Sequence, residues 1–232
     1  MIFRQLFDRE TWTYTYLIGD RQSAQAVLVD PVLEQVDRDL ALIDELGLKL
    51  VYSLETHVHA DHVTGGGLLR ERTGSSSIVP MNANVACADQ HINDAETISI
   101  GETTIKAIET HGHTDSHMAF LVNGTHLLSG DSLFIRGCGR TDFQSGDPGV
   151  LYDCVTTKLF TLPDETLVYP GHDYRGHSVS TIGEEKQHNP RFVGKDRAAF
   201  IDFMNALDLP NPQKIMEAVP ANERCGQTQP LP

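Results

Sequence analysis

The stretch Thr56-His57-Val58-His59-Ala60-Asp61-His62 puts four metal-type side chains into six positions, directly after the apolar run Leu48 to Leu54. Buried together without a cation, three imidazoles and a carboxylate carry a heavy desolvation cost. A chain with this segment is therefore built around a metal. His57 and His59 stand two apart and project to the same side of an extended segment, while Asp61 and His62 carry the loop into a helix. One loop thereby addresses two adjacent metal positions. Imidazole nitrogen and carboxylate oxygen suit zinc, iron or manganese, and without clustered cysteines the site reads as catalytic rather than as a structural thiolate zinc site.

The flanking pattern alternates strands with helices. Thr11 to Ile18 and Ala24 to Val29 read as β-branched and aromatic strands turning at Gly19-Asp20, and Asp30-Pro31 ends the second. Val36, Leu40 and Ile43 recur at helical spacing with Gly47 as C-cap, and a short helix opens at Gly65-Gly66-Gly67 and runs through Arg72. Thr103 to Ile108 alternates as a half-buried strand, and Met118 to Val122 and Thr125 to Ser129 flank the hairpin turn Asn123-Gly124. Leu151, Val155 and Leu159 mark a further helix and Thr166 to Tyr169 a further strand. Beyond Asn189-Pro190 the chain reads as helical, with Phe200, Phe203, Met204 and Leu207 as its packing stripe. His113, Asp131 and His172 each lie just past a strand end, so four strand-end loops deliver metal-type residues from a rigid scaffold. His111 and His117 flank His113, but adjacency does not supply converging geometry, and His91, His126, His177 and His188 read as surface residues.

At 232 residues the chain buries a full core as one domain, residues 1–232, with a helical C-terminal extension from about 190. A hydrophobic fraction of 40% with 22% charged residues is ordinary soluble composition. The net charge of -14 repels phosphate backbones, so nucleic acid is not an expected partner, and an anionic small substrate needs its own arginines or helix N-termini. Cys87, Cys138, Cys154 and Cys225 show no Cys-x-x-Cys spacing and read as free thiols in a reducing compartment. With no apolar signal core and no membrane-length stretch, the expected location is the cytoplasm, or an organelle matrix if a targeting peptide has been removed.

The order His57-x-His59-x-Asp61-His62, His113, Asp131, His172 resembles the metallo-β-lactamase superfamily over nearly the whole chain. That resemblance implies a mixed α/β fold, an αββα sandwich, but leaves the reaction open. Two glutathione-linked families are close: the dinuclear-metal hydroxyacylglutathione hydrolases, or glyoxalase II, and the persulfide dioxygenases, also called sulfur dioxygenases, of sulfide oxidation. Both carry the stretch Gly137-Cys138-Gly139-Arg140. The following Thr141-Asp142-Phe143-Gln144 resembles the dioxygenases, where the hydrolases continue Phe-Phe-Glu-Gly. His172-Asp173-Tyr174-Arg175-Gly176, Ser180-Thr181-Ile182, Glu184-Glu185, Asn189-Pro190-Arg191 and the tail Val219 to Gly226 also resemble the dioxygenases. One departure is His111-Gly112-His113-Thr114, where relatives show Pro-Gly-His-Thr.

The resemblance to the dioxygenases implies one Fe(II) per chain, held by His57, His113 and Asp131, with His59, Asp61, His62 and His172 beside it as supporting or water-binding residues. In the hydrolases those four complete a two-metal site. It implies oxidation of glutathione persulfide by O2 and water to sulfite and glutathione, with Arg140, Arg191 and Tyr174 as substrate contacts and no catalytic group beyond the metal. Cys138 lies near the expected site, but the resemblance gives the work to iron rather than to a thiol. A homodimer and a sulfurtransferase that supplies the persulfide are compatible partners.

Overall fold

A computed structural model describes residues 1–210, 212 and 214–227, which form two compact units and carry two six-stranded β-sheets. The first unit takes residues 1–92 and 98–104 and the described residues from 212 onward. Its sheet runs in chain order: β1 (Ile2–Phe7), β2 (Tyr14–Asp20), β3 (Gln25–Val29), β4 (Lys49–Leu54), β5 (Ser76–Pro80) and β6 (Gln90–Ile92). The first three strands pair antiparallel and the rest parallel. α1 (Val36–Glu45) and α2 (Gly66–Thr73) make the crossovers of the β3–β4 and β4–β5 pairs, and a loop joins β5 to β6. Val36 and Ile43 of α1 and Leu69 of α2 pack with Leu17, Leu28 and Leu50 of the sheet. Each such side chain contributes about 1.5–3 kcal/mol on burial.

The second unit is formed by residues 93–97 and 105–210. The second sheet has the order β12-β11-β10-β9-β8-β7, comprising β7 (Thr97–Ile100), β8 (Thr103–Glu109), β9 (Met118–Val122), β10 (His126–Gly130), β11 (Leu167–Pro170) and β12 (Ser180–Thr181). Asn123 and Gly124 turn the β9–β10 hairpin with positive φ, as that dipeptide predicts. β10 and β11 pair parallel, joined by α3 (Pro148–Cys154) and a wider-wound turn over Val155–Leu159, with Leu151, Val155 and Leu159 buried as one stripe.

Several expectations are corrected. The β2–β3 turn falls at residues 21–24 rather than at Gly19-Asp20, because the Asp20 carboxylate accepts from the Gln22 and Ser23 amides and folds the chain there. The helical C-terminal stretch is divided: α4 (Ile182–His188) and α5 (Arg197–Asn205) lie in the second unit, α6 (Ile215–Asn222) in the first. Phe200 and Met204 bury into the second core, but Phe203 is 37% exposed and carries the Arg191 and Lys195 cations on its ring. Cys87 and Cys225 are not free thiols but form a disulfide across 138 residues of sequence, a separation at which spacing rules carry no signal. Cys138 and Cys154 are free. Among the described residues no helix is long and apolar enough to cross a membrane.

Candidate metal centre

In the first unit the histidine loop is anchored from below by Asp30, the residue that ends β3 with φ 51°. Its carboxylate accepts from the Thr56 amide at 2.7 Å and the Thr56 hydroxyl at 2.9 Å. Because that hydroxyl proton is committed to Asp30, the hydroxyl oxygen accepts from His57 Nδ1 at 2.9 Å, which fixes the ring's orientation and places its proton on Nδ1. His59 places Nε2 3.1 Å from Asp30 Oδ1 and 3.4 Å from Glu55 Oε2, and its buried Nδ1 makes no hydrogen bond. His62 Nδ1 sits 2.9 Å from Asp61 Oδ2, to which Thr13 also donates, and its buried Nε2 makes no hydrogen bond either. Ligand atoms of His59, Asp61 and His62 lie within 4.8 Å of one another. Burial works to neutralise His59, but Asp30, Glu55 and Asp61 outweigh it and raise its pKa well above the usual histidine value. Burial raises the Glu55 carboxyl against the pull of His59.

In the second unit the loops after β8, β10 and β11 gather His113, Asp131 and His172. His113 Nδ1 donates to the Arg140 carbonyl at 2.7 Å, leaving Nε2 aimed 3.5 Å from Asp131 Oδ2. His172 Nε2 lies 3.6 Å from Asp131 Oδ1, a buried oxygen that accepts no hydrogen bond. Two imidazole nitrogens thus face the two oxygens of one carboxylate at distances too long for hydrogen bonds. A cation satisfies that arrangement. Each unit offers imidazole nitrogen and carboxylate oxygen, with His59 Nδ1, His62 Nε2 and Asp131 Oδ1 buried without hydrogen bonds, and this donor chemistry fits a divalent transition metal.

His117 is the residue that sequence reasoning left open and the structure accounts for. Its Nε2 accepts from the Asp131 amide at 2.9 Å and its Nδ1 donates to Thr110 Oγ1 at 2.8 Å, so it holds Asp131 in place and has no nitrogen left for a metal. His111 pairs with Glu109 at 3.2 Å, and it is Gly112, at φ 121°, that shapes the loop there; the departure at 111 leaves His113 in register. His91, His177 and His188 are exposed, and His126 stacks on Tyr169.

The metallo-beta-lactamase superfamily model matches residues 12–172. The persulfide dioxygenase ETHE1 of Bos taurus, named as mitochondrial, is 48% identical over 232 residues, covering 99% of this chain and 91% of its own. The crystal structure of ETHE1 from Myxococcus xanthus superposes with a TM-score of 0.96 at 53% identity, over 98% of this chain and 100% of that one. This chain belongs to the persulfide dioxygenase family of the metallo-beta-lactamase superfamily. A hydroxyacylglutathione hydrolase of Polaromonas sp. is 33% identical over 166 residues, with 69% of this chain and 62% of its own covered.

The segments that resemble the dioxygenase family have visible work in the second unit. Asn189 donates to the Phe134 and Gly137 carbonyls and to Glu185, while Glu185, fully buried, pairs with Arg136 and accepts from its amide. Together they clamp the Phe134–Gly137 turn that leads into Cys138-Gly139-Arg140. Arg140 holds Asp142 through two bonds of 2.7 Å, donates to the Pro210 and Leu209 carbonyls and lies over Phe143. The Thr141–Gln144 tetrad is thus locked by its own arginine. Tyr174, 62% exposed, stacks on His172 with ring centroids 6.0 Å apart, and Arg191 lies over Phe203. Cys138 is buried against Met204, and burial pushes its thiol up to about 12. At pH 8 it is therefore uncharged, and iodoacetamide should leave it unmodified in the native protein while alkylating it after unfolding; native modification read by peptide mass spectrometry would restore a thiolate role.

Asp30, Glu55 and Thr56 were not visible as site residues in the sequence. The only trace was Asp30-Pro31, which reads equally well as the end of a strand.

Proposed function

We propose that this chain oxidises the sulfane sulfur of glutathione persulfide with one O2 and one water, releasing sulfite, glutathione and two protons, with one Fe(II) held by His57, His113 and Asp131. The observation that carries the reading is the 48% identity to a persulfide dioxygenase over 99% of the chain. It is supported by His57 and His113, whose Nδ1 atoms are each fixed by a hydrogen bond, and by the hydrogen-bond-free Asp131 Oδ1. Two histidines and a carboxylate would hold iron with too few protein ligands to fill its coordination, so that sulfur and oxygen could reach it.

Bound there, iron supplies the one-electron chemistry that dioxygen needs to react with sulfur. The chain's own part is orientation and charge. Thr56 and the Arg140 carbonyl fix the imidazole planes, and His117 and the Gly139 amide, which donates to the Asp131 carbonyl at 2.8 Å, hold the carboxylate's backbone. Tyr174 offers an exposed aromatic face beside His172 to the tripeptide. Arg191 offers a charge to a glutathione carboxylate on this acidic chain, and Arg140 does so by exchanging Asp142 for the substrate. His59, Asp61, His62 and His172 support the metal or bind water. The matrix or cytoplasm is the compartment of this reading, and a homodimer and a sulfurtransferase delivering persulfide are compatible with it.

A second reading has one observation in its favour. His59 Nδ1 and His62 Nε2 are buried without hydrogen bonds, which a further cation would satisfy in a two-metal thioester hydrolase. Counting metal after anaerobic iron loading separates the two. One iron per chain and no cleavage of lactoyl-glutathione supports the dioxygenase; two metals per chain with thioester cleavage overturns it.

A further inference from the structure

The C-terminal segment of the first unit is knitted onto the histidine loop. Asn222, 4% exposed at the end of α6, donates to the His59 and His62 carbonyls at 2.9 Å each and accepts from the Thr64 amide at 2.8 Å. Three residues later Cys225 is bonded to Cys87, which lies between β5 and β6. The fit is close: a Cβ on Gly67 would collide with the Cys225 carbonyl oxygen, and one on Gly226 with the Thr64 carbonyl oxygen. Val58, between two histidines of the loop, packs on the cluster formed by Val79, Ala83, Val85 and Cys225. A cleft lined by Glu55, His57, His59, Val79, Asn222 and Cys225 joins the disulfide to the loop.

We propose that the Cys87–Cys225 disulfide is a thiol–disulfide exchange site, through which low-molecular-weight thiols release the C-terminal segment and loosen the histidine loop it holds. Cys225 is 4% exposed whereas Cys87 is partly exposed, so an incoming thiolate attacks Cys87 Sγ and Cys225 leaves as the thiolate, taking up a proton. A second thiol attacks the mixed disulfide, freeing the Cys87 thiol and a low-molecular-weight disulfide. Two thiols are oxidised and the protein bond is reduced by two electrons. With the link broken, the segment keeps the Asn222 hydrogen bonds, the Lys214–Glu34 ion pair and its packing, and the loop backbone between His59 and Thr64 loses a cross-linked support. The effect on iron rests on the metal-holding role proposed above for this loop; the exchange and loosening do not.

The test equilibrates iron-loaded protein in buffers of reduced and oxidised glutathione. Intact mass after thiol alkylation reads the bond, hydrogen exchange reads residues 59–64 and 215–226, and release to a chromophoric chelator reads the iron. Reduction should expose two further thiols, raise amide exchange in 59–64 by at least about tenfold and speed iron release, and reoxidation should reverse all three. Cys87→Ser should behave as the reduced protein and lose the response, while a Cys138→Ser, Cys154→Ser double variant keeps it. Two extra thiols in protein never reduced, or equal amide exchange in both redox forms, would overturn the proposal. Faster amide exchange with unchanged iron release would leave the exchange site standing and count instead against the loop's role in holding iron.

Discussion

Replacing Asp131 by alanine should empty the site of iron and lower kcat/KM by about a thousandfold or more, a loss of about 4 kcal/mol in transition-state stabilisation. The expectation follows from what the carboxylate touches. One oxygen faces His113 at 3.5 Å, the other faces His172 at 3.6 Å and accepts no hydrogen bond. Among the described residues no hydrogen bond of the fold ends on that side chain, and the loop is held by its backbone: the Asp131 amide donates to His117 and its carbonyl accepts from Gly139. The melting temperature of the metal-free variant should therefore match that of the metal-free parent within a few degrees. Iron content, oxygen uptake and thermal melting measured side by side check this. Full turnover in the variant would show the ligand set to be misassigned.

Asp30→Ala should act through another route, costing both metal affinity and stability although Asp30 is no proposed ligand. The carboxylate accepts two hydrogen bonds from Thr56 and faces His59 Nε2 at 3.1 Å, all within a buried environment. Its removal strands the Thr56 amide and leaves His59 with Glu55 and the more distant Asp61 to balance it. Breaking a buried charged pair by deleting one partner costs roughly 3–5 kcal/mol, which for a chain of this size lowers the melting temperature by on the order of ten degrees. Loss of a residue that orients metal-binding histidines typically weakens metal affinity about 10–100-fold. Iron titration and calorimetry measure the two effects. Asp30→Asn keeps an oxygen for the Thr56 amide and should recover part of the stability but little of the support for His59. An alanine variant that melts and binds iron like the parent would remove Asp30 from the site.

The difference between these residues explains what the sequence could disclose. His57, His59, Asp61 and His62 announce themselves because four such side chains within six positions have few other uses, and Asn123-Gly124 because its backbone preference is local. Asp30 lies 26 residues before Thr56, and its role depends on parallel pairing of β3 with β4, which no window of sequence displays. His117 reads as one more histidine until the return of β10 brings the Asp131 amide against its ring. The Cys87–Cys225 bond escapes for the same reason, spanning the chain from a loop after β5 to the turn that follows α6. Phe203 fits the helical stripe by spacing, yet its ring is taken by two cations rather than by the core. Local chemistry was legible; contacts made by the crossing of distant strands were not.

Oxygen uptake by iron-loaded protein given glutathione persulfide tests the central reading most directly. One O2 consumed and one sulfite formed per persulfide, lost on removal of iron and restored on its return, is the expected result. Consumption of no oxygen by fully iron-loaded, folded protein, with turnover of a glutathione thioester in its place, would contradict it.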